Sequence, residues 1–323
     1  INGPLACSAT DDRKMSMAKN LDVVTIGSII KETIVYPDKQ IGPVIGSPAA
    51  YSSLVMAAQG CKVGIVTYYG YDMENMISEL DALDRTGFIP FAYTTTNNLV
   101  YRQDGTKYVE YTRKTPDIRF EDISDQYLEA DFFKICPMNY EVELDLIEQL
   151  DAMGKTVFVD LGGYGGATSE IRHSVETEYG KMVVNTICKN CSIVKASEED
   201  LASIIPGKTA EQAAQYLRDA GARTVVVTLG GKGVLYKIGD GAIRYRKPYQ
   251  AVSEAPDGSL NFTGAGDSFG AGFMASYCHS RDVDKAVING NATASIVIQR
   301  PGGCYFKRMP DKQSVEERIS SLH

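Results

Sequence analysis

Alternation between short β-branched runs and amphipathic helical stretches restricts the fold of this chain more than any other feature. Runs at 22–30, 62–68, 132–136, 156–160 and 224–229 carry strand patterning, and 48–59, 73–83, 141–153 and 210–220 carry apolar residues at helical spacing. This rhythm predicts βαβ units and a mostly parallel sheet. VVTIG and TVVVTLG are apolar almost without a break, as expected of strands covered by helices on both faces.

Two segments interrupt the rhythm. Residues 31–45 and 92–115 are rich in Thr, Tyr and Val, alternate in polarity and include the turn dipeptide Asp104-Gly105. They predict a small antiparallel sheet projecting from the main domain, with an ordinary surface hairpin as the plainer alternative. No fixed-period repeat or low-complexity tract is visible.

Composition narrows the function classes. At 323 residues, 44% hydrophobic and 23% charged, the chain can bury a full core in one large α/β domain or two modest ones. A net charge of -8 with dispersed Lys and Arg argues against nucleic acid or an anionic membrane as partner. No apolar run of 18 residues occurs, so the chain reads as cytoplasmic. Residues 1–20 are polar and mixed in charge, and read as an N-terminal arm or tag remnant around Met17-Ala18-Lys19. Seven scattered cysteines read as reduced thiols. The close pair Cys188 and Cys191 reads as structural, because no second pair stands at zinc-ribbon spacing.

The segment with the most chemical content is Asn261-Phe262-Thr263-Gly264-Ala265-Gly266-Asp267-Ser268-Phe269-Gly270, which runs into the helical pattern AGFMASYCHS. Glycines 264 and 266 allow tight backbone, and the first free N–H groups of the helix converge there with its positive dipole end. Such a turn is an anion hole. Phosphoryl transfer to an alcohol needs charge stabilisation on the migrating group and an acceptor for the hydroxyl proton. The turn and Asp267 supply both. The plainer alternative makes Thr263 an N-cap and the glycines packing residues.

The same segment resembles the C-terminal Gly-Ala-Gly-Asp signature of the ribokinase-like (PfkB-type) carbohydrate kinases. It lacks the Lys of a Walker A loop and does not follow the first strand as a dinucleotide fingerprint does. Other family landmarks occur in order across about residues 21–308. The resemblance implies a ribokinase-like three-layer α/β/α domain over 21–315, with the 31–45 and 92–115 segments as its lid. It implies ATP and Mg²⁺ as cofactors and a hydroxyl of a sugar or sugar-like molecule as acceptor. In that reading Gly264, Ala265 and Gly266 form the anion hole and Asp267 is the general base. The stretch after VVTIGSII resembles the sugar-site motifs, with Gly46, Gly70 and Asp72 in place. TVVVTLGGKGVLY resembles the nucleotide wall, which puts Thr228, Gly230 and Gly233 beside the ATP phosphates and ribose. ASIVIQRPGG, preceded by Asn291 and Ala292, resembles the helix that lines the adenine pocket.

Departures from the family pattern fall in the substrate and metal positions. Glu32 replaces the usual sugar-binding Asp and Ala50 the usual Asn, so the expected substrate site comprises Glu32, Gly46, Ala50 and the strand-end Asp160. ASEED stands where relatives have Asn-x-x-Glu. That register gives Ser197 and Asp200, with Glu199 as an alternative, as oxygen anchors for Mg²⁺; a helix N-cap is the competing reading. Asn261 at the monovalent-cation position leaves potassium dependence open. Tyr101, Arg102 and Tyr111 are candidate gate contacts in the lid; a homodimer through that sheet is common among the proteins this chain resembles, and nothing in this sequence decides it. Two alternatives stay open: a nucleoside kinase whose aromatic-rich lid stacks on a ring, and a catalytically silent ligand-binding protein.

Overall fold

The near-continuous apolar runs become central strands. The computed structural model describes residues 21–103 and 107–321, so the 1–20 arm and the Asp104-Gly105 turn lie outside the described residues. In chain order the strands are β1 (Val23–Ile26), β2 (Ile30–Val35), β3 (Gln40–Gly46), β4 (Val63–Gly70), β5 (Phe88–Phe91), β6 (Thr96–Tyr101), β7 (Lys107–Arg113), β8 (Phe132–Ile135), β9 (Thr156–Asp160), β10 (Ile193–Ser197), β11 (Thr224–Thr228), β12 (Val234–Ile238) and β13 (Arg244–Arg246). The helices are α1 (Pro48–Ala58), α2 (Asp125–Leu128), α3 (Leu144–Ala152), α4 (Glu178–Asn190), α5 (Glu198–Ile204), α6 (Ala210–Asp219), α7 (Ala265–Ser280), α8 (Val283–Gln299) and α9 (Lys312–Ser320).

The large sheet has the order β13-β12-β11-β10-β9-β8-β1-β4-β5. It is parallel from β11 to β5, with β12 and β13 added antiparallel. One core joins it to α3, α4 and α6, and a second joins its other face to α1 and α7. Val225, Val226 and Val227 in β11 are fully buried, and successive residues enter opposite cores, each side chain contributing about 1.5–3 kcal/mol. The chain enters at β1, steps to β4 and β5, and then returns to β8 before moving outward the other way. The strand order reverses between β1 and β8, and in such sheets ligands lie beyond the strand C-termini at that reversal. No described helix is long and apolar enough to cross a membrane.

A separate four-stranded sheet of order β3-β2-β6-β7 forms from the two segments that broke the rhythm. It is mixed rather than antiparallel, because β6 pairs parallel to β2. The reason is connectivity: α1, β4 and β5 intervene, and a crossover of that length returns the chain in the same direction. Two further expectations are corrected. The 22–30 run divides at Gly27 into β1 and β2, one strand for each sheet. Residues 73–83 contain only a single 3-10 stretch at Ile77–Leu80, following another at Tyr71–Met73, instead of a helix. Neither stretch has a side-chain cap, and Asp72 accepts from the Thr94 N–H and hydroxyl at 3.0 and 2.9 Å instead of capping.

Candidate active site

The first turn of α7 carries Asp267, and its geometry begins with Gly264. That residue is the N-cap at φ 76°, a left-handed conformation, and a Cβ there would lie 2.5 Å from the Tyr51 ring. Thr263 is therefore not the cap. No side chain caps this end; Ala265 N–H donates to the Phe262 carbonyl at 3.1 Å, and the remaining first-turn N–H groups are left for an anion. The turn is braced from behind. Asn261 accepts from Thr263 N–H at 3.1 Å and donates to the Gly302 carbonyl at 2.6 Å. Arg308, only 2% exposed, donates to Tyr51 Oη at 3.2 Å and to the carbonyls of Arg300, Gly303, Val297 and Thr263. Gly264→Ala is expected to cost about 1–3 kcal/mol from the αL conformation alone, with the Tyr51 contact added. Denaturant unfolding checks it, and a change below about 0.5 kcal/mol would contradict the close packing described.

Around Asp267 the sheet brings together charges that stand far apart in sequence. Lys195 and Asp160 are register partners across β10 and β9 and form an ion pair at 2.8 Å, with side chains 4% and 7% exposed. Lys134 is fully buried in β8; its ammonium donates to Cys136 Sγ at 3.1 Å and lies 4.9 Å from the Phe158 ring centroid. Both ammonium groups approach α7. A Cβ on Gly266 would lie 3.2 Å from Lys195 Nζ, and one on Gly270 would lie 3.4 Å from Lys134 Nζ. Burial works against the charge on Lys195, yet Asp160 and then Asp200 hold its pKa above the usual lysine value. Burial, followed by Asp160, pushes Asp267 up to about 6, with Lys195 and Lys134 restraining the rise and Asp200 adding to it. Asp267 is thus ionised at neutral pH and close enough to its pKa to accept a proton.

Ser197 and Asp200 form a capping box at the start of α5, so the plain capping role is present. Asp200 is buried and also accepts from Ala167 N–H at 2.9 Å, whereas Glu199 is exposed. Asp200 takes three donors and Asp160 two. A carboxylate offers about four lone-pair directions. Each retains capacity for a water of a hydrated hard cation such as Mg²⁺, and the donor set fits one.

On the substrate side, Glu32 in β2 is buried, and a Cβ on Gly46 would lie 3.0 Å from its carboxylate. Ala50 is buried in the first turn of α1 and donates its N–H to Ser47 Oγ at 3.1 Å. Register aligns Glu32, Asn97 and Tyr111 across β2, β6 and β7, so their side chains share one face of the small sheet. Asn97 is fully buried, and neither of its amide atoms has a partner among the described residues. Tyr101 stacks on Tyr36 at 5.0 Å, and Arg102 lies over Tyr108, both at the far end of the small sheet.

A pocket of about 390 Å³ opens at the β1–β8 reversal, lined in part by Ser28, Tyr111, Tyr140, Glu141, His173 and Tyr179. Glu141 ties the two strand ends together, accepting from the N–H groups of Ser28, Met138 and Asn139 at 3.3, 2.9 and 2.7 Å. Asp267 does not line this pocket. Tyr111 joins the pocket to the Glu32 row. Tyr51 lies between Glu32 and Asp267 electrostatically: burial raises its pKa well above the usual phenol value, and both carboxylates add to the rise.

Of the residues assigned to the nucleotide, Thr228 ends β11 half-buried, and Gly230 is exposed with open space where a Cβ would be. Gly233 is buried, and a Cβ there would meet the Arg246 carbonyl at 2.1 Å. Asn291 in α8 donates to the Lys247 carbonyl at 2.6 Å.

Lys134, Lys195, Asn97, Glu141 and Arg308 were absent from the candidate residues read from sequence. One signal was legible: FFKI and IVKAS each place a lone lysine in an otherwise apolar parallel strand, where an unpaired cation is too costly to keep.

Comparison with known proteins places this geometry. The model of the pfkB family carbohydrate kinases matches residues 145–310. A cytidine kinase of Thermococcus kodakarensis is 30% identical, over 87% of this chain and 98% of its own length. A ribokinase of Arabidopsis thaliana, solved with ribose and ATP, superposes with a TM-score of 0.72 at 19% identity, covering 93% of this chain and 99% of that one. A pyrophosphate-dependent kinase of the ribokinase family, solved with a pyrophosphate analog and myo-inositol, superposes with a TM-score of 0.72 at 17% identity, covering 91% and 99%. The fold is the ribokinase fold, and the chain belongs to the PfkB family: it is a carbohydrate kinase, a phosphotransferase acting on a sugar-like substrate.

Proposed function

We propose that the protein moves the γ-phosphate of ATP to a sugar hydroxyl of a nucleoside, with Asp267 as general base. The uncapped first turn of α7, with Asp267 inside it and two buried ammonium groups behind it, carries the phosphotransfer step. Bound Mg-ATP supplies the phosphoryl group and the divalent charge that offsets it. The Asp267 carboxylate takes the hydroxyl proton as the new O–P bond forms and the bond from the γ-phosphorus to the bridging oxygen breaks, releasing ADP, while the Gly264–Gly266 turn receives charge on the migrating group. Asp200 and Asp160 would hold the hydrated cation through its waters, with Ser197 fixing Asp200. Thr228, Gly230, Gly233 and Asn291 flank the nucleotide. The small sheet acts as a lid on one catalytic domain spanning 21–315, excluding water so that the alcohol competes successfully.

A nucleoside is favoured over a free sugar by the second half of the site. The 390 Å³ pocket has three tyrosines and a histidine on its walls, and aromatic faces suit a planar ring. Asn97, fully buried and unpaired among the described residues, lies on the same sheet face as Tyr111 and behind the pocket lining. Glu32 and Gly46 then hold the ribose between that row and Asp267. The 30% identity to a cytidine kinase supports the same reading.

Transfer from Mg-ATP to nucleosides, free sugars and sugar acids tests it. A nucleoside is expected to give the highest kcat/KM. A tenfold preference for a free sugar would overturn the nucleoside assignment alone, and no transfer to any acceptor would overturn the phosphotransfer reading. Because the base must be ionised, kcat/KM is expected to fall about tenfold per pH unit below about pH 6. A pH profile flat down to pH 5 would remove Asp267 from that role.

A further inference from the structure

At the opposite end of α7 from Asp267, three metal-ligating side chains meet that the kinase reading does not use. Cys278 and His279 occupy the last turn of α7, and Cys61 sits in the turn between α1 and β4. One ligand atom from each residue lies within 4.8 Å of the other two. Cys61 Sγ is 4.0 Å from His279 Nε2, and the Cys61 and Cys278 thiols both donate to the Ala275 carbonyl, at 4.0 and 3.5 Å. Both cysteines are free thiols. We propose that Cys61, Cys278 and His279 form a site for a soft divalent metal of the zinc class.

Geometry and donor chemistry both favour this. Zinc binds thiolate at about 2.3 Å and imidazole at about 2.0 Å, so a tetrahedral site holds these atoms about 3.6–3.8 Å apart. The three side chains need to close by no more than about 1 Å to reach that spacing. Cys61 is held in place: its N–H donates to the Met56 carbonyl at 3.1 Å and its side chain is buried. Cys278 is half-buried and His279 exposed, so the site is open to an ion from solvent on the imidazole side. Two thiolates and an imidazole select zinc-class metals over Mg²⁺, which prefers oxygen. A disulfide between the two cysteines would leave the imidazole unused. Three protein ligands leave the fourth position to water, so this is an exchangeable site and not a closed structural one. Cys278 lies eleven positions along the helix from Asp267, about 16 Å along the axis, so occupancy leaves the chemistry untouched.

The test is a Co²⁺ titration of the metal-free, fully reduced full chain. One equivalent is expected to produce thiolate-to-cobalt charge-transfer absorption with the intense visible bands of four-coordinate cobalt, displaced by Zn²⁺. Cys278→Ser is expected to remove the band, and His279→Ala to weaken binding by at least about tenfold. Both positions are accessible, and phosphoryl transfer with Mg²⁺ in excess is expected to stay unchanged in both variants, so failure of the kinase reading would not disturb this assay. Absence of the band at stoichiometric metal, or a band that persists in Cys278→Ser, would overturn the site. A Cys61–Cys278 disulfide formed on mild oxidation, in a chain that binds no metal when reduced, would overturn it in favour of a redox pair.

Discussion

Asp267→Asn is expected to lower phosphoryl transfer by about 10²–10⁴-fold and, at the same time, to make the protein more stable. The two effects share one cause. Burial and the neighbouring Asp160 hold the folded-state pKa of Asp267 at about 6, above its value in the unfolded chain. A carboxyl group with a raised folded pKa is destabilising when ionised, and every tenfold weakening of its acidity corresponds to about 1.4 kcal/mol. The neutral amide removes that cost, so a gain on the order of 1–3 kcal/mol is expected at pH 7. Its pH dependence is distinctive. The stability difference between variant and parent is expected to be fully open above about pH 6 and to close as pH falls below about 4, where the parent carboxyl becomes protonated in both states. Thermal unfolding at pH 4, 5, 6 and 7 measures it. A variant that is inactive but less stable at pH 7 would mean that Asp267 braces the fold, not that it waits there as a strained base.

Lys195→Met carries the largest expected loss of stability. The Lys195–Asp160 pair is almost wholly buried, and removing one partner of such a pair costs about 3–5 kcal/mol because the other charge is left uncompensated. The double variant Asp160→Asn/Lys195→Met is expected to recover much of that loss, since it leaves no stranded carboxylate. Lys195 also restrains the pKa of Asp267, so the acid limb of the activity profile is expected to move to higher pH in Lys195→Met. A single variant that loses less than about 1 kcal/mol, or a double variant no better than the single, would show the pair to be solvated in solution.

Features that depend on neighbours in sequence were readable from sequence. The parallel core followed from runs such as VVTIG, whose apolar continuity requires cover on both faces. The Gly264–Asp267 turn was equally local, because its glycines, its acid and the start of its helix lie in ten consecutive residues. The 73–83 segment misled, since apolar residues at helical spacing also bury Met73, Leu80 and Leu83 from tight turns. Features that depend on register stayed hidden. Lys195 meets Asp160 only because β10 and β9 align them, and Glu32, Asn97 and Tyr111 form a row only once β6 lies parallel to β2. Neither alignment has a signature in any one strand. Arg308 was invisible for the same reason, as its acceptors are mostly backbone carbonyls, which no residue pattern specifies.

The position of Arg308 bears on when the molecule becomes competent during its own synthesis. Asp267 and the strands of both sheets leave the ribosome before the guanidinium that locks Tyr51, Thr263 and the end of α8 together. A nascent chain can therefore complete its sheets while the anion turn is still unbraced. Until the segment after α8 folds back over the turn, Asp267 is in place without the contacts that fix Tyr51 and Thr263 around it.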